Sequence, residues 1–161
     1  VGTGIGGGAV LGGHVIRGLS HPEMGHISMP RHPDDAGFTG SCPFHGDCLE
    51  GLAAAPAIAA RWGASLSDLA PDHPAHRIIA WYLAQAIRSF QAILQPARII
   101  LGGGVMQTPG LLDQVRIAAR DAGGGYFPGE VSEIVTPPAL GGDAGLLGAL
   151  ALALGRERTI G

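Results

Sequence analysis

The sequence predicts an α/β fold, and three observations support this. A short apolar strand followed by glycines and a helix occurs twice in the second half, over residues 98–122 and 133–154. A long amphipathic helix, at about residues 73–94, precedes this alternation. Such an order is typical of a sheet with helices packed on its faces, so ligands are expected at the carboxyl ends of the strands.

The chain begins with a glycine-rich segment, residues 1–8, which precedes two predicted strands at 9–11 and 14–16. Glycines allow backbone N–H groups to approach a phosphate closely, and Thr3 would add a hydroxyl group. A glycine-rich hairpin is also often only a turn. Because a phosphate-binding loop normally follows a strand, we expect that sequence upstream of this loop is missing.

The middle of the chain is predicted to be helical. An alanine-rich run follows Cys48, and Pro56 inside it predicts a kink or a break between two helices. Residues 63–74 are predicted to form a loop. In the helix at 73–94, one buried stripe is predicted at i, i+4 spacing. The stripe consists of Ile78, Ile79, Tyr82, Leu83, Ala86, Ile87, Phe90, Ile93 and Leu94.

The C-terminal part contains the two strand–glycine–helix units. A strand at 98–101 runs into Gly102–Gly104, and a helix follows at 109–122, with residues 111, 112, 115 and 118 or 119 predicted to face inward. A second strand at 133–137 leads to another glycine loop and a final helix. Glycine loops that open helices are favourable places for anions, because free N–H groups and the helix dipole point outward there.

Both cysteines lie in a short stretch with two well-spaced histidines. His26, Cys42, His45 and Cys48 are separated by fifteen, two and two residues. Two thiolates and two imidazoles make the tetrahedral set that zinc prefers, and four protein ligands form a closed, structural site. Three alternatives remain open: His32 as the fourth ligand, a Cys42–Cys48 disulfide, or unpaired thiols beside surface histidines.

Glu23 and His26 lie three residues apart, ahead of a strand predicted at 27–29. A carboxylate and an imidazole this close could bind neighbouring hydroxyl groups of a polyol. The alternative is a solvated glutamate beside a metal ligand.

Composition excludes several functions. The net charge of −3 and the absence of a basic run argue against nucleic-acid binding. The chain has no lysine, which excludes a Schiff-base lysine and a Walker-type phosphate loop. No apolar run reaches the roughly 18 residues of a membrane helix, and we expect no signal peptide. Two cysteines that serve as metal thiolates fit a reducing cytosol, so we expect a cytoplasmic protein.

Four segments of the chain resemble the ROK family of sugar kinases and repressors. They read E-M-G-H, C-P-F-H-G-D-C-L-E-G, I-I-L-G-G-G-V-M and G-G-D-A-G-L-L-G-A-L. The H-x15-C-x2-H-x2-C spacing and H-P-E-M-G-H are similar to the bacterial fructokinase branch, whereas other branches carry a C-x-C-G-x-x-G-C loop that this chain lacks. The resemblance extends over essentially the whole chain, but it covers only the C-terminal half of such a kinase.

This resemblance implies an actin-like, ribonuclease H-like sugar-kinase ATPase fold with two lobes and a cleft between them. It implies phosphoryl transfer from Mg2+-ATP to a hexose, with fructose favoured. Residues 1–161 would form the single C-terminal lobe of the kinase. Within it, residues 21–51 would form a zinc and sugar loop that carries a structural Zn2+.

The resemblance also implies roles for individual residues. Glu23, His26 and Glu50 would contact sugar hydroxyl groups, with His26 also a zinc ligand beside Cys42, His45 and Cys48. The nucleotide would be received by Thr3, Pro56, Gly102, Gly103, Gly104 and Gln107. Zinc would support the loop that carries Glu50.

One departure from the family pattern concerns catalysis. The family's catalytic aspartate lies in the N-terminal lobe, and Asp34, Asp35 and Asp47 match no base motif. Phosphoryl transfer needs a group that accepts the hydroxyl proton, so this chain alone is expected to be inactive. Two alternatives are a sugar-sensing regulatory module and a zinc domain used for dimerisation. An exposed cleft face predicts a homodimer.

Overall fold

The computed structural model describes residues 1–154. Its helices are α1 (Leu49–Ala53), α2 (Ala55–Trp62), α3 (Pro74–Leu94), α4 (Leu111–Gly123), α5 (Val131–Ile134) and α6 (Ala144–Ala153). Its strands are β1 (Val10–Leu11), β2 (His14–Val15), β3 (Ile99–Ile100) and β4 (Val135–Thr136). Single 3-10 turns lie at Met24–His26, Pro33–Asp35, Leu66–Asp68, Gly104–Gln107 and Gly141–Asp143.

The predicted α/β alternation is confirmed in the second half of the chain. Strands β3 and β4 pair in parallel, with Ile99 opposite Val135 and Ile100 opposite Thr136. Helix α4 lies between them in sequence and packs on α3, and its buried residues are Leu111, Val115 and Ala119. The core therefore lies around the long helix α3, which packs against both α4 and α1.

Helix α3 follows its prediction closely at both ends. Nδ1 of His73 accepts a hydrogen bond from Ala75 N at 3.2 Å at the start, and Gln95 ends the helix in the left-handed conformation. Most of the predicted stripe is buried, but Ile93 is 76% exposed. The last turn of α3 lines an open groove instead of packing into the core, so the stripe ends before Ile93.

The predicted alanine-rich helical run is interrupted between α1 and α2. Ala54 has an extended backbone, and Pro56 lies in the first turn of α2, where its missing N–H costs no hydrogen bond. The Ala55 N–H donates instead to Gly2 O at 2.8 Å. Of the two predicted outcomes, kink or break, the structure shows a break.

Two local predictions were wrong. Residues 27–29 form no strand, because Ser28 makes only one isolated bridge, to Cys48. The predicted strand at 133–137 is reduced to Val135–Thr136, because Val131–Ile134 is helical. The predicted loop at 63–74 is confirmed, and it contains one 3-10 turn, Leu66–Asp68, whose Leu66 is buried in the core.

The predicted final helix is present as α6. Its residues are apolar, and Leu146 and Leu150 are exposed, as is Leu154 directly after the helix. Among residues 1–154, no helix is both long enough and apolar enough to cross a membrane.

Candidate metal centre and substrate site

The four predicted metal ligands come together in space. The ligand atoms of His26, Cys42, His45 and Cys48, called here the four-residue cluster, all lie within 4.8 Å of one another. Cys42 Sγ lies 3.8 Å from His26 Nδ1 and 3.7 Å from His45 Nδ1, and Cys48 Sγ lies 3.5 Å from His26 Nδ1.

These distances can be compared with a tetrahedral zinc site. Zn–S bonds of about 2.3 Å and Zn–N bonds of about 2.0–2.1 Å, at tetrahedral angles, place sulfur and nitrogen about 3.6 Å apart. The three observed sulfur–nitrogen distances bracket this value. The donor set of two sulfurs and two imidazole nitrogens therefore fits zinc in both chemistry and spacing.

Short-range backbone structure builds the cluster. Cys42 and Gly46 exchange two backbone hydrogen bonds, 3.2 Å and 2.9 Å, which close a hairpin around His45. Cys48 caps the N-terminus of α1, and its Sγ accepts a hydrogen bond from Gly51 N at 3.5 Å. A side chain at position 51 would meet Gly46 O at 1.9 Å, so only glycine allows this approach of helix and hairpin.

The two thiols differ in electrostatic environment. A hydrogen bond from the His45 backbone is the main cause that lowers the pKa of Cys42, since it stabilises the thiolate. Burial raises the pKa of Cys48. Both cysteines are free thiols, so the disulfide alternative is absent from this structure.

The structure places His32 outside the cluster. Its ring is buried, and its Nδ1 accepts a hydrogen bond from Asp34 N at 3.1 Å. The ring packs edge-on against Trp81 at a centroid distance of 5.1 Å. His32 therefore serves the start of the 3-10 turn Pro33–Asp35, and His26 is the histidine that faces the cysteines.

Glu50 lies beside the cluster, in the first turn of α1. Its Oε2 accepts a hydrogen bond from Ile5 N at 2.8 Å, and its Oε1 lies 4.0 Å from His26 Nε2. The side chains of His26 and Glu50 are about three-quarters buried, with 24% and 26% exposed. One nitrogen of His26 thus faces the sulfurs, and the other faces Glu50.

Glu23 is close in sequence but directed elsewhere. Its backbone oxygen accepts a hydrogen bond from His26 N at 3.0 Å. Its exposed carboxylate pairs with His21 Nε2 at 2.8 Å. Of the three residues expected to bind sugar, the structure brings His26 and Glu50 together and leaves the Glu23 side chain at the surface.

Backbone hydrogen bonds join the start of the chain to two of the segments expected at the nucleotide. Val1 N donates to Gly102 O at 2.6 Å, Val1 O accepts from Val105 N at 3.2 Å, and Gly2 O accepts from the N–H of Ala55, which precedes Pro56. Thr3 follows these two residues and is exposed. Gly103 has a φ of 98°, and a Cβ there would lie 2.4 Å from Val1 O. Gln107 ends the turn that follows and is exposed.

A sequence model of the ROK family matches residues 1–156. The chain belongs to the ROK family. It is 48% identical over 160 residues to a fructokinase of Zymomonas mobilis, covering 98% of this chain and 53% of that protein. It is 45% identical over 158 residues to a putative fructokinase of Bacillus subtilis, covering 95% of this chain and 52% of that protein.

A solved structure agrees with these sequence matches. The ROK hexokinase of Thermus thermophilus superposes with a TM-score of 0.72 at 31% identity, covering 92% of this chain and 53% of that one. This match confirms the predicted actin-like sugar-kinase fold class. The chain spans about half the length of the relatives that it matches.

Sequence reasoning missed one buried group in this ROK chain. Arg61 of α2 pairs with Asp35 at 2.6 Å, with only 5% and 6% of the two side chains exposed. Tyr82 of α3 donates its hydroxyl to the same Asp35 oxygen at 2.7 Å. A lone arginine on the inner side of an alanine-rich helix was the available signal, but its partner lies 26 residues away.

Proposed function

We propose that this chain is the C-terminal lobe of an ATP-dependent hexose kinase that converts fructose and ATP to fructose 6-phosphate and ADP. The observation that carries the proposal is the largely buried pair of His26 and Glu50 beside the four-residue cluster. Similarity to two fructokinases, at 48% and 45% identity, favours fructose among the hexoses.

In this proposal the sugar is bound by hydrogen bonds. The Glu50 carboxylate accepts from hydroxyl groups, and His26 Nε2 donates, because its Nδ1 is directed to the sulfurs. Glu23 reaches the sugar only after its carboxylate separates from His21. This ion pair is exposed, so breaking it costs little free energy. A site that pairs hydroxyl groups rejects analogues that lack them.

The nucleotide is proposed to bind at the glycine loop. In this proposal Gly102, Gly103 and Gly104 present their backbone to the nucleotide, and Thr3, Pro56 and Gln107 make further contacts. The hydrogen bond from Val1 N to Gly102 O, which holds the start of the chain at the glycine loop, supports it. When bound, Mg2+-ATP supplies the transferable phosphoryl group and neutralises its developing charge. The chain's own part is to orient the nucleotide with backbone N–H groups and the Thr3 hydroxyl.

The four-residue cluster is proposed to hold a structural zinc. All four ligands come from protein, so no coordination position is left for substrate. Zinc would fix His26 and the start of α1, and through them the carboxylate of Glu50.

No residue of this chain is proposed as the catalytic base. Asp34, Asp35 and Asp47 are engaged by Arg77, Arg61 and Arg31, at 2.6, 2.6 and 3.6 Å. We propose that the base lies in an N-terminal lobe, that the intact protein is cytoplasmic, and that it assembles as a homodimer. The chain alone is then inactive.

The test is a coupled assay of ADP release with fructose, glucose and mannose. The intact protein is expected to turn over fructose fastest, and residues 1–161 alone to give no activity. Fructose binding by the intact protein without phosphorylation would support the sugar-sensing regulatory module instead. Turnover by residues 1–161 alone would contradict the assignment of the base to another lobe.

A further inference from the structure

Arg61 is enclosed by hydrogen-bond acceptors from three segments. Its Nε donates to Ala57 O at 3.2 Å, its Nη1 to Asp35 Oδ2 at 2.6 Å, and its Nη2 to Leu52 O. The side chain is 5% exposed. A buried guanidinium is tolerated only with such pairing, so the position is specific for a cation with several donors.

Two aromatic rings complete the enclosure. The guanidinium carbon lies 4.5 Å from the Phe38 ring centre and 4.4 Å from that of Trp62. A planar cation stacks on such rings while it donates in its own plane, which the ammonium group of lysine cannot do. Burial lowers the pKa of Arg61, and the neighbouring Asp35 opposes that shift.

The network joins residues 21–51, here the metal loop, to the helices behind it. Asp35 and Phe38 belong to this loop, Leu52 to α1, Arg61 to α2 and Tyr82 to α3. The Tyr82 hydroxyl accepts a hydrogen bond from His32 N at 3.3 Å and donates to Asp35. The loop is therefore fixed at residues 32–38 as well as at the four-residue cluster.

Helix α1 is held both by the four-residue cluster and by the network around Arg61. Cys48 caps its N-terminus and belongs to the four-residue cluster. Leu52, near its other end, offers a carbonyl that Arg61 binds. Glu50 lies between these two residues, so both attachments define where its carboxylate points.

We propose that Arg61 is a positioning residue for Glu50, and that the Asp35–Arg61–Tyr82 network holds α1 independently of the metal. The effect on sugar binding rests on the proposed function, whereas the anchoring of α1 does not. A buried ion pair gains little stability over an apolar trio of the same volume. The ion pair here contributes orientation, because the donor groups of the guanidinium require defined positions of the Leu52 carbonyl and of the Asp35 carboxylate.

Hydrogen exchange of the intact protein, with metal and after chelation, tests the anchoring. Chelation is expected to speed exchange at Cys42 and Gly46, and to leave residues 32–38 and Ala54, whose N–H donates to Glu50 O at the end of α1, as protected as before. Arg61→Met is expected to do the reverse, with faster exchange at 32–38 and at Ala54 and with the metal retained. Equal release of residues 32–38 and Ala54 by chelation alone would overturn the proposal.

Steady-state kinetics on the same variants test the positioning. In Arg61→Met, the KM for fructose is expected to rise about tenfold, with the KM for ATP unchanged. A variant that is only less stable would lose active enzyme at an unchanged KM. Tyr82→Phe is a milder variant that keeps the ion pair, so it should fold and show a smaller rise. Arg61→Lys is expected to restore the fructose KM only in part.

Arg77→Met is the matched control. Arg77 pairs with Asp34, the neighbour of Asp35, at the same 2.6 Å, but the side chains are 61% and 58% exposed. The Arg77→Met variant should change neither the rate of hydrogen exchange at α1 nor the fructose KM. An unchanged fructose KM in Arg61→Met would overturn the positioning role. An intact protein that phosphorylates no hexose contradicts the proposed function, and the exchange experiment then still decides the anchoring.

Discussion

Nε2 of His26 lies 4.0 Å from Oε1 of Glu50, while Nδ1 of the same ring lies 3.5 Å from Cys48 Sγ. One imidazole thus connects the metal ligands with the carboxylate proposed to bind sugar. Because each nitrogen has its own partner, a change at the metal would be transmitted to Glu50 through a rigid ring.

Cys48→Ser is expected to abolish zinc binding. A serine hydroxyl does not replace the thiolate in a structural zinc site, and Cys48 also caps α1. Elemental analysis of the purified protein measures the result, with about one zinc per chain expected before substitution. His32→Asn is the control and should keep its metal, since His32 lies outside the cluster. Full zinc content in Cys48→Ser would rule out the proposed ligand set.

Glu50→Gln is expected to weaken fructose binding in the intact kinase. A hydrogen bond to a charged group contributes about 1.5–3 kcal/mol, which corresponds to a KM about ten to a hundred times higher. The glutamine oxygen can still accept from Ile5 N, so the fold is expected to persist. Glu133→Gln, at an exposed position of α5, is the control. An unaffected fructose KM would remove Glu50 from the sugar site.

Gly103→Ala is expected to weaken ADP binding and to destabilise the chain. The residue has a φ of 98° and a ψ of 172°, a conformation essentially restricted to glycine, which costs other residues about 1–3 kcal/mol. The new Cβ would also meet Val1 O at 2.4 Å. Gly104→Ala has open space around its Cβ and should leave stability nearly unchanged. Urea unfolding and ADP titration compare the pair, and equal stability of both variants would contradict the prediction.

Stability is expected to fall at high pH through Tyr82. Burial raises the pKa of its hydroxyl to about 12 in the folded protein, from the ordinary value of 10. The stabilisation is fully present below pH 10 and is lost as the pH rises through about 12, because the folded state retains the proton longer. Urea unfolding at a series of pH values measures this loss. Tyr82→Phe should flatten this part of the profile, and an identical profile in the variant would disprove the assignment.

The four-residue cluster was predictable because three of its members lie within seven residues and carry their ligand chemistry in their side chains. His26 was predictable only as one of two candidates, since spacing could not separate it from His32. Helix α3 was predictable because its stripe and Pro96 are local signals. A strand is present within four of the predicted segments, but each has only two residues, because strand length depends on the pairing partner and is not a local property.

The α/β class, the long helix, the ligand types of the cluster and the family resemblance follow from the amino-acid sequence alone, since all are expressed in local spacing and residue chemistry. The tertiary structure decided which histidine faces the cysteines, that Glu50 and not Glu23 lies beside it, and that Arg61 meets Asp35. These are contacts between residues 16 to 26 positions apart, or choices among equivalent side chains. Only the packing of the metal loop on α1, α2 and α3 selects them, because burial forces each charged group to find its partner there.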